Sequence, residues 1–200
     1  LVFASTTSAT SSPFKEIYRY NMLGSMLYKG DGVASSTSST NTHSMDIERN
    51  SSQYASISDA NHTGLDISGD FSTGLWVRFE SINTSGANPL VIKRDHSGNQ
   101  RSYSFYMNGA ANQLNFDSQY DGLNASCSVN VSWTPSTNTW YHLAMTKSGT
   151  ALKFYLNGTQ QGSTQTCTSS TIYNGSAPVE VAGWAAGSSG PGSEFGPRSS

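Results

Sequence analysis

The chain has 200 residues, of which 35 % are hydrophobic and 12 % charged, and its formal net charge is −2. That charge argues against nucleic acid or an anionic membrane as a partner, both of which select basic surfaces. No apolar run approaches the roughly 18 residues of a spanning helix, which argues against helical membrane insertion.

Residues 1–43 read as a Ser/Thr-rich extension, with linker-like runs at Ser5 to Ser12 and Ser35 to Thr42. Leu1-Val2-Phe3-Ala4 reads as the end of a signal sequence, and the abrupt ends read as a piece of a larger surface protein. Between the two runs, Phe14 to Leu23 is an apolar and aromatic island. It is expected to be a docking strand, placed on this domain or on a neighbour.

From Ser44 onward, strand patterns follow one another. Met45 to Arg49 and Tyr54 to Ser58 are predicted to form the first pair around the polar turn at Asn50. Phe71 to Glu80 alternates, with Phe71, Thr73, Leu75, Val77 and Phe79 on one face and Trp76 and Arg78 on the other. Pro89 to Arg94 and Ser102 to Met107 flank a hairpin loop that starts at Asp95. Leu114 to Ser118 and Ser126 to Trp133 follow.

Trp140 to Met145 is the next strand, and Leu152, Phe154 and Leu156 then recur at period two. Asn157-Gly158 closes that run with the residue pair a tight hairpin favours, because both central positions need positive φ. Gly162 to Thr166 and Val179 to Gly183 complete the series, and 191–200 is a Gly/Ser/Pro-rich tail. No segment keeps helical periodicity over three turns. Many short strands with frequent turn signals predict an all-β sandwich or barrel.

Cys127 and Cys167 sit in strand-like, polar surroundings with no metal or redox spacing. They are either two half-buried thiols or a disulfide. The Ser/Thr/Asn-rich, secreted-looking composition favours the disulfide, which would close a loop of about 40 residues worth about 4 kcal/mol on the chain-entropy model. Seven Asn-x-Ser/Thr sequons occur, a number that a chain so rich in these residues reaches by chance.

Six segments, in order, carry a resemblance. Met45 to Ile57 resembles an opening strand pair, and Leu65 to Val77 resembles a "dF-x-x-x-x-W-V" strand. Leu90-Val91-Ile92-Lys93 resembles "i-l-s-K", and Trp140 to Met145 resembles "W-h-H-V-A-v". Lys153 to Gly158 resembles "l-Y-v-D-G" with Asn157 in place of Asp, and Ala177 to Gly183 resembles "p-l-x-i-G". Together they resemble the laminin G-like domains of the concanavalin A-like lectin/glucanase superfamily. The resemblance implies an antiparallel two-sheet β-sandwich of jelly-roll type over residues 44–190. Two departures stand out. The closing "G-x-i-D-e-v-r-i-y" strand is absent, so one strand is expected to be missing or supplied from elsewhere. The closing Asp near the family's calcium site is absent with it.

Catalysis is not expected. The superfamily's glucanases carry Glu-x-Asp-x-Glu on one strand, whereas here only Asp46 and Glu48 match and Ser44 stands where the nucleophile would be. Retaining hydrolysis needs two carboxyls about 5 Å apart. His43, His62, His96 and His142 are scattered, and His142 reads as a packed strand residue.

The resemblance instead implies a secreted or cell-surface module whose partner is a glycan or cell-surface ligand. Aromatic faces and planar polar groups bind sugars, and Arg101, Tyr106, Asn115, Asp117, Tyr120 and Trp184 are the candidates. Ca2+ is a further candidate ligand, through Asp117 and Asp121. The alternative is a structural surface or filament subunit that self-assembles through the N-terminal extension, because an open sheet edge templates another strand.

Overall fold

In the computed structural model, the described residues are 45–47, 53–62, 64–96 and 98–184, together with the backbone of 17–20 and 26–30. Strands β1 (Ile17–Tyr20) and β2 (Met26–Gly30) pair antiparallel as a hairpin of their own, in a unit separate from the sandwich. The Ser/Thr runs, Glu48 and the tail 191–200 lie outside the described residues. So do the positions where a closing strand would fall.

The sandwich has two antiparallel sheets. The first runs β11 (Thr159–Thr166), β10 (Ala151–Leu156), β9 (Trp140–Ser148), β4 (Phe71–Arg78). The second runs β3 (Ala55–Ile57), β12 (Val179–Val181), β5 (Ala87–Asp95), β6 (Gln100–Asn108), β7 (Gln113–Gln119), β8 (Ala125–Ser132). Among the described residues, the one helical element is a 3-10 turn at Asp59–Asn61.

Strand alternation sends one set of side chains inward. Leu75, Val77, Leu143, Met145, Leu152 and Phe154 come from the four-stranded sheet. Phe105, Met107, Leu114, Phe116, Cys127 and Val131 meet them from the other. Phe105 and Phe154 stack across the gap with ring centroids 6.3 Å apart. Asn157 (φ 49°) and Gly158 (φ 82°) make the expected two-residue turn, so Leu156 faces Thr159. The Asn157 side chain also accepts a hydrogen bond from the His142 backbone N–H at 2.8 Å. Cys127 and Cys167 form a disulfide, which ties β8 of one sheet to the segment just after β11 of the other.

Two sequence expectations are corrected. Met45 to Ile47 is not strand, and Ala55–Ile57 pairs instead with Val179–Val181, which satisfies its backbone ladder. The strand expected at Gly162 to Thr166 starts at Thr159, directly after the turn. Its side chains are mostly exposed and polar and its pairing with β10 is bulged, both of which suit an edge strand.

Candidate functional site

The outer face of the six-stranded sheet gathers most of the candidate residues. On β6, Phe105 and Met107 point into the core, so Ser104 and Tyr106 point out. On β7, Leu114 and Phe116 point in, and Asn115 and Asp117 point out. Register sets Tyr106 opposite Asn115 and Ser104 opposite Asp117. The Tyr106 hydroxyl donates to Asp117 Oδ2 at 2.8 Å. Burial, then the Asp117 carboxylate, pushes the Tyr106 phenol well above its usual value, so it stays protonated and remains a donor. The Asn115 amide donates to the Gln113 carbonyl at 2.8 Å.

A β-bulge brings two guanidiniums to the same face. Lys93 pairs with Tyr103 but Arg94 pairs with Arg101, so Ser102 is the extra residue of β6. If Ser102 took its place in regular alternation, Arg101 would share the inward face of Tyr103 and turn away from Arg94; bulges re-aim side chains in this way. Ser102 is held there by its Oγ, which accepts from the Gly175 N–H at 3.0 Å. Burial first lowers the Arg94 pKa; Asp117 opposes the shift and Arg101 adds to it. On His96, burial followed by the repulsion of Arg94 and Arg101 pushes the imidazole below its ordinary value.

Trp184 completes the cluster. Strand β12 ends at Val181 because Ala182 takes φ 61°, a left-handed conformation that a residue with Cβ adopts at a cost. The chain then turns over the sheet. The Trp184 ring meets Tyr106 edge-on at 5.7 Å, and the Arg94 guanidinium lies 5.2 Å from its centroid. Such a cation–π contact is worth about 1 kcal/mol.

Structure thus brings Arg101, Tyr106, Asn115, Asp117 and Trp184 to one face. Tyr120 is an exposed residue beyond the end of β7, and its N–H donates to the Asn124 carbonyl. Arg94, His96 and Glu180 were missed. For Arg94 a signal existed: Arg94 and Arg101 flank the predicted hairpin loop symmetrically, which makes them cross-strand partners.

Glu180 lies on the same face, in register with Ser56 and Ile92, yet is only 5 % exposed. A Cβ added at Gly183 would lie 2.9 Å from its Oε2 and 2.9 Å from the Tyr54 ring, so these two residues roof it. Burial, then Asp95, raises its carboxyl from 4.5 to about 7. The folded protein therefore holds a proton that the unfolded chain has already released. Stability falls as pH rises from 4.5 to about 7 and levels off above. Glu180→Gln is expected to remove this slope and to stabilise the protein by about 3 kcal/mol at pH 8. Urea midpoints of both proteins at pH 5 and pH 8 check it; parallel pH profiles would contradict it.

Calcium finds little support in Asp117 and Asp121. Asp117 accepts from Tyr106, while Asp121 accepts from the Leu123 and Asn124 N–H groups and the Asn124 amide at 2.6–2.9 Å. Those bonds, the Asn124 amide foremost, hold Asp121 below the usual carboxylate range. Among the described residues, Asp59, His62 and Asp66 do form a metal-like group, with ligand atoms within 4.8 Å of one another. The cation there is the Lys93 ammonium, which donates to Asp59 and, at 3.0 Å, to Asp66, with His62 Nε2 at 3.4 Å. The Lys93 ammonium thus stands at the centre of this cluster and neutralises its carboxylates.

A second aromatic surface lies on the other sheet. Trp76 is 63 % exposed, Trp140 is 43 % exposed, and His142 stands 5.3 Å from Trp76, half-buried on the outer face. Arg78, in register with Trp140 on the same face, adds a largely buried guanidinium that donates to Asn138 Oδ1 at 3.4 Å and lies 3.9 Å from Glu80 Oε1.

A family model described as "Concanavalin A-like lectin/glucanases superfamily" (Laminin_G_3) matches residues 49–195. The chain belongs to this family. No curated protein sequence is significantly similar to it. Among solved structures, this laminin G-like domain is similar to the CBM40 module of Ruminococcus gnavus IT-sialidase bound to alpha2,3 sialyllactose. The TM-score is 0.58 at 13 % identity, covering 77 % of this chain and 84 % of that one. It is also similar to domains LG4-5 of the mouse laminin alpha1 chain, with a TM-score of 0.52 at 9 % identity. That match covers 76 % of this chain and 38 % of the laminin chain. At these identities the likeness establishes the shared jelly-roll sandwich.

Proposed function

We propose that this laminin G-like domain is a non-catalytic carbohydrate-binding module that works outside the cell, as an adhesion or targeting element. The observation that carries this reading is the convergence of Trp184, Tyr106, Arg94, Arg101 and Asp117 on one outer sheet face. A half-exposed indole offers a flat apolar surface to the C–H face of a pyranose. Guanidinium and carboxylate groups beside it are planar chelators of hydroxyl pairs. The solved module bound to sialyllactose supports the reading by fold alone. The disulfide is in keeping with an oxidising compartment.

Geometry supports the non-catalytic half. Glu180, Ile92, Ser104 and Asp117 lie in one register row across four neighbouring strands. Three strand spacings put the two carboxyl-bearing residues about 14 Å apart, beyond the roughly 6.5–9.5 Å of inverting glycosidases. Glu180 has the raised pKa of a general acid but is roofed by Tyr54 and Gly183. Self-assembly by strand addition has less support, since Ile17–Tyr20 is already hydrogen-bonded to Met26–Gly30.

The test is a glycan array followed by calorimetry on the ligands that bind. Trp184→Ala is expected to weaken binding about tenfold or more, the usual loss for a central aromatic anchor. Trp76→Ala, on the opposite sheet, is expected to leave affinity unchanged. The reverse pattern would move the site to the four-stranded sheet, and release of reducing ends from a bound glycan would overturn the non-catalytic reading.

A further inference from the structure

We infer that Arg94 and Arg101 form a receptor for the carboxylate of an acidic sugar, so that the module selects uronic or sialic acid-type residues over neutral ones. The inference rests on the glycan-binding reading of this face and narrows it to a ligand class.

The two guanidinium-bearing residues are direct cross-strand partners. Like charges in that position destabilise a sheet, so the arrangement calls for a counter-charge. The protein supplies little of one. Among the described residues, both Arg Nε atoms are buried and without a hydrogen-bond partner. No ion pair joins either guanidinium to a carboxylate among those residues. Asp117 acts on Arg94 only at a distance, and its Oδ2 is occupied by the Tyr106 hydroxyl. Asp95 acts on His96 and on Glu180. Among the described residues, His96 adds a third buried nitrogen, Nε2, without a partner.

Buried donors left unpaired are costly, and a ligand that pairs them recovers that cost on binding. The chemistry specifies the ligand. A guanidinium edge presents parallel N–H groups that match the two oxygens of a carboxylate. Two such edges, side by side on adjacent strands, let one carboxylate bridge them. Trp184 lies under Arg94, 5.2 Å from its guanidinium, and holds that group in place. The same indole then packs the ring that carries the carboxylate, so charge and apolar contact select one monosaccharide unit together.

The experiment uses the full chain and three matched probe pairs: oligogalacturonate and its methyl ester, sialyllactose and lactose, and a sulfated and an unsulfated galactan oligomer. At least one carboxylated probe is expected to bind about tenfold or more tighter than its neutral partner, with affinity falling as salt rises. Arg94→Gln and Arg101→Gln are each expected to weaken the carboxylated probe far more than its neutral partner, so that the preference between the two collapses. Arg94→Lys, which keeps charge but loses the fork, is expected to retain only part of it. The ester comparison needs no variant, so misfolding of a mutant cannot hide the answer. Equal affinity for acid and neutral forms overturns the carboxylate receptor and leaves glycan binding standing. Preference for the sulfated probe alone overturns it in favour of sulfate. Failure of every probe and of the array overturns the glycan reading itself.

Discussion

Lys93→Met lowers the thermal midpoint of the sandwich by about 6–12 °C, corresponding to roughly 3 kcal/mol in a domain of this size. The Lys93 side chain is fully buried on the core side of β5, opposite Tyr103 and Val179. Its ammonium is the shared partner of Asp59 and Asp66. Methionine replaces the aliphatic stem at similar volume, so packing is kept and the charge alone is lost. Two carboxylates and His62 then face one another without a cation. Breaking a fully buried pair costs about 3–5 kcal/mol; here the carboxylates are 37 % and 35 % exposed, and water offsets part of the loss.

The pH dependence follows. The Lys93 hydrogen bond, chiefly, lowers the Asp66 pKa below 3.8. A carboxylate with a depressed folded pKa contributes stability that is present above its unfolded value and disappears as pH falls through the folded one. The wild type therefore loses this contribution only in strong acid. In Lys93→Met the carboxylates repel, and stability instead rises as pH is lowered towards 4. Adding Asp59→Asn and Asp66→Asn to Lys93→Met is expected to recover most of the midpoint, because removing a whole charged set is far milder than removing one member. A triple variant as unstable as Lys93→Met would show that the loss is a packing defect.

Lys93 also marks a limit of the sequence. The run Leu90 to Lys93 reads plainly as a strand, but its partners Asp59 and Asp66 lie in a segment of little periodicity, and nothing local says that an ammonium would be buried there. Local pattern was enough wherever one chain segment decides its own conformation. Leu152, Phe154 and Leu156 are buried or packed on the core at period two, and Asn157-Gly158 closes their turn. Non-local pairing was not legible. Ala55–Ile57 finds its partner at Val179–Val181, more than a hundred residues on, and a three-residue strand carries no label for its neighbour. Thr159–Thr166, almost wholly polar, has no alternation to read. The site shows the same division. Tyr106, Asn115 and Asp117 could be proposed from neighbouring strands, but the convergence of Arg94 with Arg101 depends on the bulge at Ser102, and that of Trp184 on the left-handed turn at Ala182.

Removing the disulfide, as Cys127→Ala with Cys167→Ala, is expected to cost about 4 kcal/mol, the chain-entropy value for a loop of this length. The two residues are 40 apart in sequence, and both are buried in the core. The segment they enclose contains β9, β10 and β11, three of the four strands of one sheet. In the unfolded chain, the bond keeps that block tethered to β8 of the other sheet. Its loss acts mainly on the unfolded ensemble, which becomes larger and more exposed. The urea midpoint should therefore fall while the slope of free energy against urea rises. A cavity effect alone would lower the midpoint with no change in slope, so the two measurements together separate cross-link from packing. Reduction of the wild type should reproduce the double variant. If reduction leaves the midpoint in place, the tether contributes nothing. If it lowers the midpoint as expected, a reducing compartment would deprive the fold of a large part of the 5–15 kcal/mol that typical domains possess.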